Sequence, residues 1–354
     1  MLHISRGPCG MLSPSDTARD ARVDTLDVRI MRAFVQDQAL SPLTTNFRAS
    51  LAAVAKRVGE DEDTVRHRLR KIEASGFIRG WRLVLNPQLL GGGQAMVWFE
   101  VDPSRPKGDL AEGLRLAPGV LFVHACYDSL IVFLEYEDER SLPRILELVR
   151  RLSGAPEVFA ARILFPECHA VLTARDWDLL RALRKDPRKS YSDLAAEIGV
   201  SSRTARVRLS RLTAQGVAFA LPLINMRAAP GGVFPHVLVW YANDRKREVD
   251  KAITARVEPY LWHRLHLMPY RSGDLWSCGY DLILPNMAVL TELVGWVREV
   301  PGVEKVRTFL LEEIFSYFDS YDEGLERKLS QMPTALPAAR VHEHRGPART
   351  LGRA

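Results

Sequence analysis

Leu51-Ala-Ala-Val-Ala-Lys-Arg-Val-Gly59 aligns with Tyr191-Ser-Asp-Leu-Ala-Ala-Glu-Ile-Gly199 at an offset of 140 residues. Each stretch reads as a short amphipathic helix closed by a glycine that tolerates the left-handed turn after it. At the same offset Arg66-His-Arg-Leu-Arg-Lys-Ile-Glu-Ala-Ser-Gly76 meets Arg206-Val-Arg-Leu-Ser-Arg-Leu-Thr-Ala-Gln-Gly216. Farther on, Glu147-Leu-Val149 meets Glu292-Leu-Val294, Pro156-Glu-Val158 meets Pro301-Gly-Val303 and Arg162 meets Arg307, now at an offset of 145. Loop insertions produce such a drift, and the two offsets together read as a tandem duplication. The first copy carries a longer loop, around Ser41–Ala49.

Working outward, Leu26, Ile30 and Phe34 recur at helical spacing, which predicts a first helix over Asp24–Asp37. Ser50 is the expected N-cap of a second helix, Leu51–Val58, and a third follows over Asp61–Ser75 with Val65, Leu69 and Ile72 inward. Phe77-Ile78 and Trp81–Leu85 suggest the two short strands of a wing. The second copy repeats this with helices over Asp176–Leu183 and Tyr191–Ile198 and a third helix capped by Ser201 and ending at Gly216. A short helix, a glycine turn and a basic third helix are the parts that seat a recognition helix in the major groove of DNA.

Residues 175–216 hold ten Lys or Arg against five Asp or Glu. The second copy's candidate DNA contacts are Ser201, Ser202, Arg203, Thr204, Arg206, Arg208 and Arg211, hydroxyls and guanidinia suited to base edges and phosphates. The first copy offers Thr64, Arg66, His67, Arg70 and Lys71. Its third helix opens with Glu60-Asp-Glu-Asp63, carboxylates that favour the helix dipole but repel phosphate. Base reading is therefore expected mainly from the second copy.

Each helical unit is followed by a strand-helix-strand-strand-helix-strand pattern, the ferredoxin-like βαββαβ order. In the first copy the strands are Gln94–Val101, Val120–Cys126, Leu130–Glu137 and Val158–Phe165; in the second they are His236–Tyr241, Leu261–Met268, Leu275–Leu284 and Val303–Leu311. Such a sheet has one face bare of helices, and two sheets in one chain are expected to bury these faces against each other as an internal pseudo-dimer.

The motifs Leu26-Asp27 with Ile30, Leu51 to Gly59, Val65-Arg66-His67-Arg68-Leu69, Ser75-Gly76-Phe77-Ile78 and Asn86-Pro87 with Leu90-Gly91 resemble those of the Lrp/AsnC family of transcription regulators. The resemblance spans residues 24–315 in two passes. It implies sequence-specific binding of double-stranded DNA as a dimer, and a small-molecule effector such as an amino acid at the sheet domains. Asp128 and Asp274 are the expected effector contacts, although the family's turn glycine is displaced here: Ala125 stands three before Asp128, and Gly273 directly precedes Asp274. A second resemblance is to the sirohaem decarboxylases, of similar fold, through His266, Tyr270-Arg271 and Leu275-Trp276; Val123–Leu130 lacks the pattern.

The expected architecture is α+β, two winged helix-turn-helix domains (24–87 and 174–226) alternating with two ferredoxin-like, RAM-like domains (91–168 and 233–318). A disordered arm (1–23) and a disordered basic tail (333–354) flank them. The net charge of +6 is partly in that tail, so global charge says little about partners. Apolar content of 47% and apolar runs such as Leu130–Leu134, far too short to cross a bilayer, fit a globular protein with no membrane partner, and four unpaired-looking cysteines fit a cytoplasmic setting. No Walker or dinucleotide glycine motif is present. His263 and His266 stand three apart on a strand, on opposite faces, and Cys168-His169 and His124 with Cys126 are sparse; no metal, cofactor or enzymatic activity is expected.

Overall fold

The computed structural model describes residues 23–35, 48–229 and 231–330. The expected arm up to residue 22, the end of the first helix beyond Val35, most of the loop around Ser41–Ala49 and the basic tail lie outside the described residues. The N-terminal half runs α1 (Thr25–Val35), α2 (Leu51–Val58), α3 (Glu62–Ala74), β1 (Ile78–Leu85), β2 (Gly93–Glu100), α4 (Lys107–Leu114), β3 (Val120–Cys126), β4 (Ser129–Tyr136), α5 (Ser141–Ser153) and β5 (Phe159–Ile163). The C-terminal half repeats the order: α6 (Ala174–Leu183), α7 (Tyr191–Ile198), α8 (Ser202–Ala214), β6 (Ala218–Ile224), β7 (Pro235–Tyr241), α9 (Lys246–Val257), β8 (Leu261–Pro269), β9 (Trp276–Leu282), α10 (Met287–Arg298) and β10 (Val303–Ser316). A further helix, α11 (Phe318–Ser330), lies beyond the expected elements. Among the described residues no helix is long and apolar enough to cross a membrane.

Strand alternation sorts the side chains. Ala95, Val97 and Phe99 of β2 face α4 and α5, packing with Leu110, Leu142 and Val149. Val237, Val239 and Tyr241 of β7 do the same with Val249 and Ile253 of α9 and Leu293 of α10. The opposite phase, Met96 and Ile131 from one sheet with Leu238, Leu265, Leu267 and Phe309 from the other, forms one shared core. The bare faces thus bury each other, as expected. What the pattern does not disclose is that the sheet edges pair as well. β3 pairs with β10 and β5 with β8, closing an eight-stranded barrel in the order β10-β3-β4-β2-β5-β8-β9-β7. β10 runs to Ser316 because its first part pairs with β7 and its last part with β3. Closure leaves none of these strands with an unpaired edge.

The two short strands expected at Phe77-Ile78 and Trp81–Leu85 are instead one. Phe77–Leu85 yields one strand, β1, which pairs antiparallel with β6 from Leu85↔Ala218 to Ile78↔Ile224. The ends are tied reciprocally: Asn86 N–H donates to Val217 O at 2.9 Å and Asn225 N–H to Phe77 O at 2.8 Å. A local hairpin would leave one apolar strand uncovered, whereas this ribbon buries Leu83, Val84 and Leu85 together with Ala218, Phe219 and Ala220.

Candidate nucleic-acid interface

In the C-terminal half, Ser190 caps α7 through Asp193 N–H at 3.1 Å, and Gly199, at φ 67, makes the turn. Ser201 then caps α8, accepting from Thr204 N–H at 3.1 Å, with its hydroxyl 2.9 Å from Thr204 Oγ1. Ser201 and Thr204 therefore occupy each other. Ala205, Leu209 and Leu212 anchor the inner face of α8. At 100° per residue the opposite face is centred on Arg203, Val207 and Ser210. All three are exposed, Val207 by 63%, although Val is a poor residue for an open helix face.

Most of the local positive charge is already spent. Arg208 lies 3.0 Å and Arg211 2.6 Å from the two oxygens of Asp176, a carboxylate with no exposed surface. Burial pushes the Asp176 carboxyl up, but bonds from Thr173 and the two guanidinia outweigh it and hold it at about 2. Arg181 and Arg184 pair with acids of α11, Arg188 with Glu73 and Lys189 with Glu197. Arg203 and Arg206 keep exposed guanidinia without an acid partner among the described residues, Arg206 lying over the Tyr191 ring at 5.1 Å. Of the expected contacts, Ser202, Arg203 and Arg206 present themselves outward, while Arg208 and Arg211 serve the packing of α8 on α6.

The N-terminal counterpart differs at the same positions. Thr64 is held by Asp61, the N-cap of α3, through its amide and its hydroxyl, both at 2.7 Å. Arg66 is neutralised by Glu62 and Asp63. Arg68 takes the place of Arg208, binding Asp24 at 2.6 Å and the buried Asp27 at 3.4 Å. His67 and Arg70 stay exposed and Lys71 is half-buried, so the outer face runs Asp63, His67, Arg70 where α8 has Arg203, Val207, Ser210.

The two expected effector residues are not brought together. Asp128 sits in the β3–β4 turn, accepting from Ser129 Oγ at 3.0 Å. Asp274 lines a cleft of about 650 Å³ at one end of the barrel, together with Trp98, Phe159, Trp240, Arg271 and Arg307. Trp98 and Trp240 meet there with ring centroids 6.1 Å apart.

The opposite end holds residues that sequence reasoning missed. His236 Nδ1 is 2.7 Å from Asp281 Oδ1, and His263 Nδ1 is 2.8 Å from Asp281 Oδ2. Burial penalises the Asp281 carboxylate, but the two imidazoles hold it far below the usual range. In the other sheet Gln94 donates to Glu135 at 2.9 Å, across the strand pair that corresponds to His236 and Asp281. A signal was available: His236 shares an alternation phase with Leu238 and Trp240, as His263 does with Leu265 and Leu267, so each is polar at a core position. His266 does point away from His263, as its spacing implies. It lies 4.0 Å from Asp250 of α9, and these two with Cys278 bring one donor atom each within 4.8 Å of the others. Arg264 at 3.2 Å and the Tyr280 hydroxyl at 2.9 Å already serve the Asp250 carboxylate.

Residues 172–217 match the family described as winged helix-turn-helix DNA-binding. That winged helix-turn-helix contains the whole of α6, α7 and α8 and stops before β6. No curated protein matches the chain in sequence. Among solved structures, the sirohaem decarboxylase NirDL is similar at 15% identity and TM-score 0.51, over 86% of this chain and 99% of that one. The same enzyme with an iron-uroporphyrin III analogue gives 16% and 0.50, over 86% and 98%. AsnC of E. coli matches at 16% identity and TM-score 0.30, over 40% of this chain and 92% of that one. At these identities the NirDL likeness concerns the fold alone.

Proposed function

We propose that the chain is a tandem, sequence-specific DNA-binding transcription regulator of the Lrp/AsnC type, acting in the cytoplasm, responsive to a small effector and not an enzyme. The exposed outer face of α8 carries this reading: Arg203 and Arg206 lack acid partners among the described residues, while the neighbouring cations are consumed by ion pairs. An ordinary dimer places two identical readers on DNA. Here covalent fusion has let them diverge, α8 remaining basic and α3 opening with acids, so the pseudo-dimer reads asymmetrically. In this reading Arg203 and Arg206 contact guanine edges or phosphates, and Val207, beside Arg203 on the outer face, contacts a thymine methyl, the apolar feature of the major groove. The test is duplex binding as a function of salt, with genome-wide footprinting to supply the site. Binding that survives the double change Arg203→Ala, Arg206→Ala overturns the reading.

A tetrapyrrole enzyme is the second reading, favoured by the fold likeness to NirDL and by a cleft of about 650 Å³ walled with Trp98, Phe159 and Trp240. The residues that carry the resemblance divide: Tyr270, Arg271 and Leu275 line that cleft, whereas His266 lies outside its lining, 4.0 Å from Asp250. Adding a tetrapyrrole and scanning the Soret region decides between the two.

A further inference from the structure

The two halves of the chain build the same helix-on-sheet layer from different chemistry. In the N-terminal half, β3 and β4 turn the neighbouring pairs Val123–Val132 and Val120–Leu134 toward α4, whose buried residues are Leu110, Ala111 and Leu114. At the matching pairs of the C-terminal half stand His266–Cys278 and Arg264–Tyr280, and α9 lays Asp250 against them. All four strand residues are buried. Burying polar groups where valine and leucine suffice costs free energy, so packing alone does not account for the exchange. Part of the set is an ion pair: Arg264 reaches Asp250 at 3.2 Å and Thr254 at 2.7 Å, and the Tyr280 hydroxyl donates to Asp250 Oδ1 at 2.9 Å. That pair needs neither the imidazole nor the thiol. Yet Cys278 Sγ lies 3.8 Å from Oδ1 and His266 Nε2 4.0 Å from Oδ2, and the three donor atoms fall within 4.8 Å of one another.

We propose that Asp250, His266 and Cys278 bind one divalent transition cation, zinc foremost, which pins α9 to β8 and β9. The site shares no residue with the proposed DNA-reading face and does not depend on that reading. Zinc takes carboxylate oxygen and imidazole nitrogen at about 2.0–2.2 Å and thiolate sulfur at about 2.3 Å, which sets tetrahedral donors roughly 3.3–3.6 Å apart. The separations here exceed that by a few tenths to about 1 Å, a distance that the side-chain torsions of Asp250 and His266 take up. Sulfur selects such a cation over magnesium or calcium, which prefer oxygen throughout. On binding, the Cys278 S–H bond breaks, its proton passes to solvent and the sulfur bonds the cation, while His266 binds through the lone pair of Nε2. Thiolate and carboxylate then match the two charges of the cation. Arg264 and Tyr280 hold the carboxylate from behind, as the partners of metal ligands commonly do. Three protein ligands leave the fourth position to water, and Asp250, with 18% of its side chain exposed, marks the way in.

The test uses the full chain, reduced and stripped by a chelator, with Co²⁺ as the probe and Zn²⁺ as competitor. One equivalent of Co²⁺ should raise a thiolate-to-cobalt charge-transfer band and the visible bands of a tetrahedral site, and Zn²⁺ should bleach both. Cys278→Val, which installs the residue that the N-terminal half carries there, should abolish the charge-transfer band, whereas Cys9→Ser, Cys126→Ser and Cys168→Ser should leave it. His266→Val should weaken Zn²⁺ binding by at least about tenfold, since losing even a ligand's own partner costs that much. Each variant is first shown folded by circular dichroism. X-ray absorption of the zinc-loaded parent chain needs no variant, and should find one sulfur at about 2.3 Å among nitrogen and oxygen at about 2.0–2.2 Å. No cobalt band at excess Co²⁺, a band that survives Cys278→Val, unchanged affinity in His266→Val, or a zinc shell without sulfur each overturns the site. No DNA enters any of these measurements, so a chain that binds no duplex defeats the proposed function and leaves the metal site to be judged by its own spectra.

Discussion

Arg208 Nη1 lies 3.0 Å from Oδ1 of Asp176, whose side chain has no exposed surface. The guanidinium therefore belongs to the packing of α8 on α6, and its loss should appear in stability rather than in recognition. Arg208→Ala is expected to destabilise the C-terminal helix-turn-helix by about 2 kcal/mol, the worth of a charge-assisted bond to a buried partner. Thermal unfolding reads this directly, and the salt dependence of DNA binding at a temperature where the variant is folded should be unchanged. The pair also sets an acid limit. The Asp176 carboxyl is lowered from 3.8 to about 2, so its contribution is complete above pH 3.8 and is lost as pH falls through 2. Asp176→Asn should flatten the decline of stability across that window; an unaltered decline would show that other carboxylates govern it.

Arg203 and Arg206 should behave in the opposite way. Both are exposed and neither pairs with an acid among the described residues, so Arg203→Ala should leave the melting temperature within a degree or so of the parent and Arg206→Ala should lower it only by the loss of its contact with the Tyr191 ring. For every phosphate that is no longer neutralised, the slope of log affinity against log salt falls by about 0.9. Arg66→Ala is the internal control, because Glu62 and Asp63 already neutralise that guanidinium. A slope that falls as far for Arg66→Ala as for Arg203→Ala would place both helices on DNA.

Val207 gives a chemical readout of orientation. If it faces a thymine methyl, replacing that thymine by uracil in a selected duplex removes one buried methyl, worth about 0.8 kcal/mol or nearly fourfold in affinity. The loss should vanish in Val207→Ala. Equal sensitivity to uracil in both proteins would move Val207 off the base edges.

The helices and their caps were legible because their determinants are local. Ser201, Gly199 and the inward triad Ala205, Leu209, Leu212 lie within one stretch of chain, and the structure places them as the pattern requires. The partner of the first wing's strand was hidden for the complementary reason: Trp81–Leu85 looks the same whether its partner strand is adjacent or far along the chain, and the choice of β6 is made by burial between the two halves. The same applies to barrel closure. At the site, the sign and number of charges were readable but not their pairing, so Arg208 and Arg211 looked like readers until Asp176 was seen beneath them. The helix α11 could have been found, since Phe318, Tyr321 and Leu325 recur at helical spacing and all are buried.

That helix packs against the ribbon beside the barrel core, and one bond tests its share. The Tyr321 hydroxyl oxygen accepts from Leu85 N–H at 3.0 Å, at a point where both residues are buried. Nearby, Arg82 reaches Asp322 at 3.2 Å and its guanidinium lies over the Phe318 ring at 5.1 Å. Tyr321→Phe keeps the ring and removes only the acceptor, stranding a buried amide at the end of β1. Leaving such a donor unpaired costs about 1–3 kcal/mol, more than a surface hydroxyl would. Urea unfolding should show that loss. Hydrogen exchange should locate it, with the Leu85 amide exchanging faster while the amides of β4, deep in the barrel, keep their protection in proportion to global stability. If Leu85 remains as protected as in the parent chain, α11 is bound by its apolar face alone, and the ribbon is held by its own pairing with β6.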